Sequence, residues 1–161
     1  MKAGDTAPDF ELPDENGTPR RLSRLLADGP VVLFFYPIAM TSGCTAEACH
    51  FRDMASEFAG VGAQRVGIST DPVAKQKEFS EANNFDYPLL SDQDGTVARE
   101  FGVKRGLLGK LAPVQRKTFV IGADRKIIEV IKSEVKFTAH ADRALEVLAA
   151  GGSRSGDLAG G

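Results

Sequence analysis

Six apolar residues stand in a row at Val31-Val32-Leu33-Phe34-Phe35-Tyr36. A strand apolar at every position must be covered on both faces, so this run predicts a central strand, stopped by Pro37. Beyond it Phe51, Met54, Ala55 and Phe58 recur at three- and four-residue spacings, which predicts a helix over Ser42 to Phe58. Arg65 to Ser69 reads as a second buried strand. Thr70-Asp71-Pro72 is a helix start with Pro at the first turn, opening a helix from Val73 to about Asn83. Pro88 to Ser91 reads as a short strand and Gly95 to Phe101 as a short helix. Lys117 to Gly122 and Lys126 to Lys132 are strand runs at hairpin-like spacing across Ala123-Asp124-Arg125. A last helix is expected from about Ala139 to Ala149, with Ala141, Leu145 and Leu148 on one side. The turn-rich opening places Phe10, Leu12 and Leu22 on a short hairpin with Asn16-Gly17 at its tip.

The order β-α-β-α-β-α-β-β-α argues for an α/β layered domain with an N-terminal β-hairpin extension. The 161 residues suit one domain, placed at 1–150; Gly151 to Gly161 collapses to Gly, Ser and Ala, which predicts a disordered tail. A net charge of −2 suggests neither a nucleic-acid nor an anionic-membrane partner. No apolar run approaches the roughly 20 residues that span a bilayer, and Met1-Lys2-Ala3-Gly4-Asp5 lacks a secretory stretch, so a cytoplasmic location is expected. Two cysteines are too few for a disulfide scaffold. That both lie within one six-residue stretch, Cys44 to Cys49, is the first functional signal.

Cys44 falls where the helix begins after a central strand. Strand carboxyl ends are where open α/β sheets bind ligands, and helix N-termini offer unpaired N–H groups and a partial positive charge that favour a thiolate. The plain alternative is a buried core thiol. Cys49 sharpens the choice. Residues five apart on an intact helix have Cα atoms roughly 8.5 Å apart, whereas a disulfide needs about 7 Å or less. The pair bonds only if the first turns unwind; a purely structural pair stays reduced on a folded helix. Zinc at Cys44, Cys49, His50 and His140 fits poorly, because structural zinc uses two-to-four-residue spacers within ligand pairs.

A thiolate that attacked a hydroperoxide would leave charge on the departing oxygen, and such a site would need fixed donors. Thr41 is close enough in sequence for its hydroxyl to meet both a thiolate and a peroxide. The backbone N–H groups of Gly43 and Cys44 add donors, and Pro37 shields the sulfur from bulk water. Arg116, immediately before the strand run at Lys117, reaches Cys44 if that strand neighbours Val31 to Tyr36; Arg52 is the competitor, eight residues along the helix.

Pro37-Ile38-Ala39-Met40-Thr41-Ser42-Gly43-Cys44 resembles the peroxiredoxin signature of Pro, three residues, Thr, two residues, Cys. Gly43 to Asp53, with Cys49 five residues on, resembles the peroxiredoxin Q (bacterioferritin comigratory protein) branch. Arg116-Lys117-Thr118-Phe119 and Gly4-Asp5-Thr6-Ala7-Pro8-Asp9-Phe10 are also similar to that family. The resemblance implies a thioredoxin-like fold with a central mixed sheet flanked by helices, and reduction of hydrogen peroxide or organic hydroperoxides. It implies Cys44 as peroxidatic and Cys49 as resolving thiol, joined in an intramolecular disulfide. Pro37, Thr41 and Arg116 are implied as activating residues, and Gly43 and Glu47 as supporting ones. It implies no haem, flavin or metal, and electrons from thioredoxin or a similar dithiol. Members of the branch are often monomers, which is the expectation here.

Ser42 stands where many relatives have Pro, and Ile38-Ala39-Met40 departs from their Lys- or acid-containing stretch. Apolar Ile38 and Met40 point toward bulkier organic peroxides. A thiol–disulfide oxidoreductase would use Cys-x-x-Cys and a proline before the facing strand; Arg116-Lys117-Thr118 has none. A peroxide sensor that relays its disulfide to a partner would use the same residues. The stretch Gly102 to Val114, with Leu107, Leu108 and Leu111, reads as a lid, a partner surface or a packed domain edge. His50 and His140 need no catalytic role.

Overall fold

The computed structural model describes residues 1–104, 114–134 and 136–160, the last nine by backbone alone. The expected opening hairpin is present: β1 (Glu11–Pro13) pairs antiparallel with β2 (Pro19–Arg21). Asp14 holds its turn by accepting the N–H groups of Asn16 and Thr18 on Oδ1. A feature without a sequence signal follows: α1 (Leu22–Leu25) and a 3₁₀ turn (Leu26–Asp28), which bury Leu22 and Leu26. At one turn long, it is too short for any apolar period to register.

The main sheet comprises β3 (Val31–Phe35), β4 (Gln64–Ser69), β5 (Leu89–Ser91), β6 (Lys117–Ile121) and β7 (Ile127–Lys132), in the order β5-β4-β3-β6-β7. β3, β4 and β5 run parallel, whereas β6 is antiparallel to β3 and β7 to β6, so the sheet is mixed. Both faces of β3 are buried, as its unbroken apolar run requires. Val31, Leu33 and Phe35 enter one core with Phe10, Leu22 and Phe101; Val32, Phe34 and Tyr36 enter the other with Phe51, Phe79 and Leu148. Cys44 belongs to the second core.

The helix expected over Ser42 to Phe58 is two helices, α2 (Ser42–Asp53) and α3 (Ala55–Gly60), broken at Met54 (φ −100°, ψ 24°). On a continuous helix, Phe51 and Phe58 would be separated by about 10 Å of rise. The break brings their ring centroids to 5.9 Å, extending a stack begun by Phe34 and Phe51 at 4.2 Å. α4 (Val73–Asn83) and α5 (Thr96–Glu100) lie as expected. α6 (Ala139–Gly160) runs on past Ala149, so its backbone is helical where the composition predicted disorder. Its last buried side chain among the described residues is Leu148, and that is where the apolar period ends. Of the Gly102 to Val114 stretch, residues 105–113, including Leu107, Leu108 and Leu111, lie outside the described residues. No helix among the described residues is long and apolar enough to cross a membrane.

Candidate active site

The site forms where β3 ends. Past Phe35 the chain turns through Pro37 to Thr41, tied to β4 by Tyr36 N–H on Ile68 O at 3.1 Å. Ala39 N–H donates to Asp71 Oδ2 at 2.8 Å, and the same oxygen accepts the Ser69 hydroxyl at 2.7 Å. Met40 adopts φ +71°, the left-handed region that side chains other than Gly enter at a cost, and its side chain is 40% exposed beside the site.

Thr41 is the N-cap of α2, with extended backbone and no side-chain cap bond. Its hydroxyl donates to Ile38 O at 2.8 Å, so its hydrogen is committed to a carbonyl rather than aimed at the sulfur. A carbonyl three residues back is an acceptor that a threonine hydroxyl reaches within its own loop. Thr45 donates both its N–H (2.8 Å) and its hydroxyl (2.7 Å) to Thr41 O. That N–H starts the helical ladder, so the N–H groups of Gly43 and Cys44 precede it. Cys44 itself is 1% exposed.

Arg116 arrives from the far end of the sequence through strand register. Antiparallel pairing sets Lys117 opposite Phe35, so the residue before Lys117 overhangs the end of β3. Its Nη2 donates to Cys44 Sγ at 3.3 Å, and the side chain is buried. The Phe137 ring lies against the guanidinium, 4.8 Å from Cζ to centroid, and the Arg116 backbone N–H donates to Glu134 Oε1 at 3.2 Å. Arg52, the competing arginine, is turned away and donates to Asn83 O at 2.8 Å.

Behind Arg116 sits Glu47, fully buried on α2. Its Oε1 is 3.5 Å from Arg116 Nη1 and its Oε2 is 3.6 Å from His140 Nε2. Neither carboxylate oxygen, nor Arg116 Nη1 or Nε, has a hydrogen bond among the described residues. Burial pushes the Glu47 carboxyl up to about 8, against the opposing pull of Arg116. Burial wins because it strips the carboxylate of water, and the guanidinium at 3.5 Å recovers only part of that loss. His140 is buried too. Its Nε2 is 2.9 Å from Ser133 O, which can only accept, so that nitrogen carries the hydrogen; Nδ1 accepts the Thr118 hydroxyl at 2.7 Å. Burial lowers its pKa and keeps the ring neutral.

Cys49 is free, as is Cys44. Its half-buried thiol reaches Asn83 Oδ1 at 3.6 Å at the end of α4. His50 pairs with Asp142 at 2.7 Å. Among the described residues, no three His, Cys, Asp or Glu side chains converge as a metal site. The structure thus joins Cys44, Arg116, Glu47 and Gly43 in one cluster, with Pro37 and Thr41 on the loop above and Cys49 one and a half turns along. Sequence reading had left out Phe137 and Glu134 and had given Thr118 and His140 no part in the site. Phe137 and Glu134 come from the β7–α6 connection, which carries no local motif, His140 from the first turn of α6 and Thr118 from β6.

The sequence pattern of the AhpC/TSA family matches residues 3–130. A Mycobacterium tuberculosis relative named as a peroxiredoxin is 71% identical over 150 residues, covering 93% of this chain and 97% of its own. Peroxiredoxin Bcp of Escherichia coli is 40% identical over 151 residues, 92% of this chain and 96% of its own. Among solved structures, peroxidoxin BcpB from Mycobacterium tuberculosis superposes with a TM-score of 0.90 at 71% identity, over 93% of this chain and 97% of that one. Peroxiredoxin Q of Xanthomonas campestris does so with 0.78 at 33%, over 88% and 90%. The mixed sheet, the cysteine at the start of α2 and these likenesses agree: the chain belongs to the AhpC/TSA family, a peroxiredoxin of the Bcp and peroxiredoxin Q branch and hence a thiol peroxidase.

Proposed function

We propose that Cys44 is the peroxidatic thiol and that Cys49 resolves it within the same chain. The observation that carries this reading is the Arg116 Nη2–Cys44 Sγ contact of 3.3 Å, a fixed cation on a buried sulfur. The Cys44 thiolate attacks the terminal peroxide oxygen. The S–O bond forms as the O–O bond breaks, sulfur is oxidised, and the leaving oxygen departs with a proton as water or an alcohol. Arg116 and the first-turn N–H groups of Gly43 and Cys44 stabilise the charge that grows along this axis. Pro37 and Thr41 shape the approach, Thr41 through the lone pairs its Ile38 bond leaves open, and Glu47 supports Arg116. The Cys49 thiolate then attacks the Cys44 sulfenic sulfur, the S–S bond forms, and hydroxide leaves as water. Because the two Cα atoms are about 8.5 Å apart on an intact helix, the first turn of α2 unwinds at this step. A dithiol protein such as thioredoxin returns both thiols, making this a thioredoxin-dependent peroxidase of the atypical two-cysteine kind. It acts as a monomer in antioxidant defence, over a catalytic domain of residues 1–150.

The deciding experiment treats wild type and Cys49→Ser with one equivalent of hydrogen peroxide and weighs the Cys44-containing peptides. Wild type is expected to lose about 2 Da as the disulfide forms, and Cys49→Ser to hold a Cys44 sulfenic acid, about 16 Da heavier. No oxidation of Cys44 in either protein would remove the reading.

The exposed Met40 and half-buried Ile38 at the mouth favour peroxides with an apolar tail. A Xanthomonas campestris bacterioferritin comigratory protein is described with alkyl peroxide reduction activity, which supports the same reading here. Met40→Ser is expected to lower the ratio of kcat/KM for cumene hydroperoxide to that for hydrogen peroxide by about three- to tenfold. An unchanged ratio would show that the mouth does not select.

A further inference from the structure

Phe137 touches two parts of the site at once. Its ring faces the Arg116 guanidinium at 4.8 Å. Its edge packs on Gly43, where an added Cβ would stand 2.9 Å from Phe137 Cζ, 3.1 Å from Cε1 and 3.3 Å from Arg116 Nη2. The ring is half-buried, on the turn between β7 and α6. That turn is pinned by Lys136 N–H on Ser133 Oγ at 2.9 Å and by His140 Nε2–H on Ser133 O at 2.9 Å. Through Nδ1 the same histidine is bound to Thr118 on β6, so the ring is referenced to the strand that carries Arg116.

These contacts exist only while α2 is helical at Gly43. Helical α2 is the state in which Arg116 reaches Cys44, and unwound α2 is the state in which Cys44 reaches Cys49. One side chain therefore acts on two steps with opposite sign. We propose that Phe137 is a positioning residue that speeds attack on peroxide by seating Arg116, and slows disulfide closure by holding the first turn of α2 through Gly43. While closure waits, a second peroxide can meet the sulfenic acid. A further S–O bond then forms, the O–O bond breaks, and Cys44 becomes a sulfinic acid as water or an alcohol leaves. Phe137 would so set how much peroxide the enzyme tolerates before inactivation. The inference rests on the Cys44–Cys49 cycle proposed above.

The test quenches wild type, Phe137→Ala and Phe137→Leu at intervals after mixing with hydrogen peroxide, and weighs thiol, sulfenic, disulfide and sulfinic forms of the Cys44 peptide. In Phe137→Ala the oxidation of Cys44 is expected to slow about tenfold, while closure of the disulfide quickens about three- to tenfold and sulfinic acid declines. Phe137→Leu keeps bulk against Gly43 without a π face. It is expected to slow oxidation similarly while leaving closure close to wild type, and it separates the two effects if the alanine variant folds poorly. Both rates unchanged, or both falling together in the two variants, would overturn the inference. Wild type that forms neither sulfenic acid nor disulfide would instead overturn the cycle beneath it.

Discussion

Arg116→Met is expected to slow the reaction of Cys44 with hydrogen peroxide by about 10²- to 10³-fold, the usual cost of removing one fixed donor from a developing anion. Arg116 supplies a forked cationic donor at 3.3 Å from the sulfur. Methionine preserves much of the stem that fills the space between Phe137 and Glu47, so the loss falls on charge and donors rather than on packing. Arg116→Lys restores the charge as a single point without the planar fork, and the Phe137 face is matched to the fork; it is expected to recover only part of the rate. Single-turnover mixing with mass analysis of the Cys44 peptide measures all three proteins. A methionine variant within a fewfold of wild type would mean that the helix N-terminus alone activates the sulfur. A lysine variant equal to wild type would reduce the role of Arg116 to bare charge.

How Arg116 was legible, and Phe137 was not, follows from what each depends on. Arg116 could be placed because its strand is strongly apolar and pairs with the central strand, so register carries the residue before Lys117 to the end of β3. Cys44, Gly43 and Thr41 were legible because one strand–turn–helix connection holds them together in sequence. Yet the orientation of Thr41 was not, since the competing acceptor is its own loop carbonyl at Ile38. Phe137 reaches Gly43 and His140 reaches Glu47 because the β7–α6 connection and α6 pack against α2, and that connection shows no period or spacing that would announce a contact across more than ninety residues. The break at Met54 escaped for a similar reason: the helical period continues through it, and the departure follows from aromatic packing in three dimensions. Local chemistry and strand register were readable, whereas side-chain aim and the second ring of packing were products of the assembled core.

Glu47 shows what that second ring costs, and it gives the largest effect expected on stability. Its carboxyl has an unfolded value of 4.5 and stands at about 8 in the fold, raised by burial and only partly pulled back by Arg116. Between these values the unfolded chain has released the proton and the native protein still holds it. Stability therefore falls as pH rises from 4.5 toward 8 and levels off above, by an amount on the order of a few kcal/mol. His140 has the opposite slope, because its lowered value makes protonation favour the unfolded chain below about 6.5. The two oppose each other in mild acid, so the Glu47 slope stands clear between about pH 6.5 and 8. The charged and titratable neighbours of Glu47 include Arg116, His140, Glu134 and Tyr87, and of these Glu134 adds to the rise while Arg116 resists it. Glu47→Gln removes the titration but keeps the shape, and should unfold at nearly the same urea concentration as wild type near pH 5 yet at a clearly higher one at pH 8. The wild-type-minus-variant difference cancels the groups that titrate far from Glu47 and leaves Glu47 with its coupling to Arg116 and His140. Parallel curves for the two proteins across that range would mean that Glu47 stays ionised against Arg116 throughout. The pair would then be a settled ion pair rather than a buried acid kept near its proton beside the reacting sulfur.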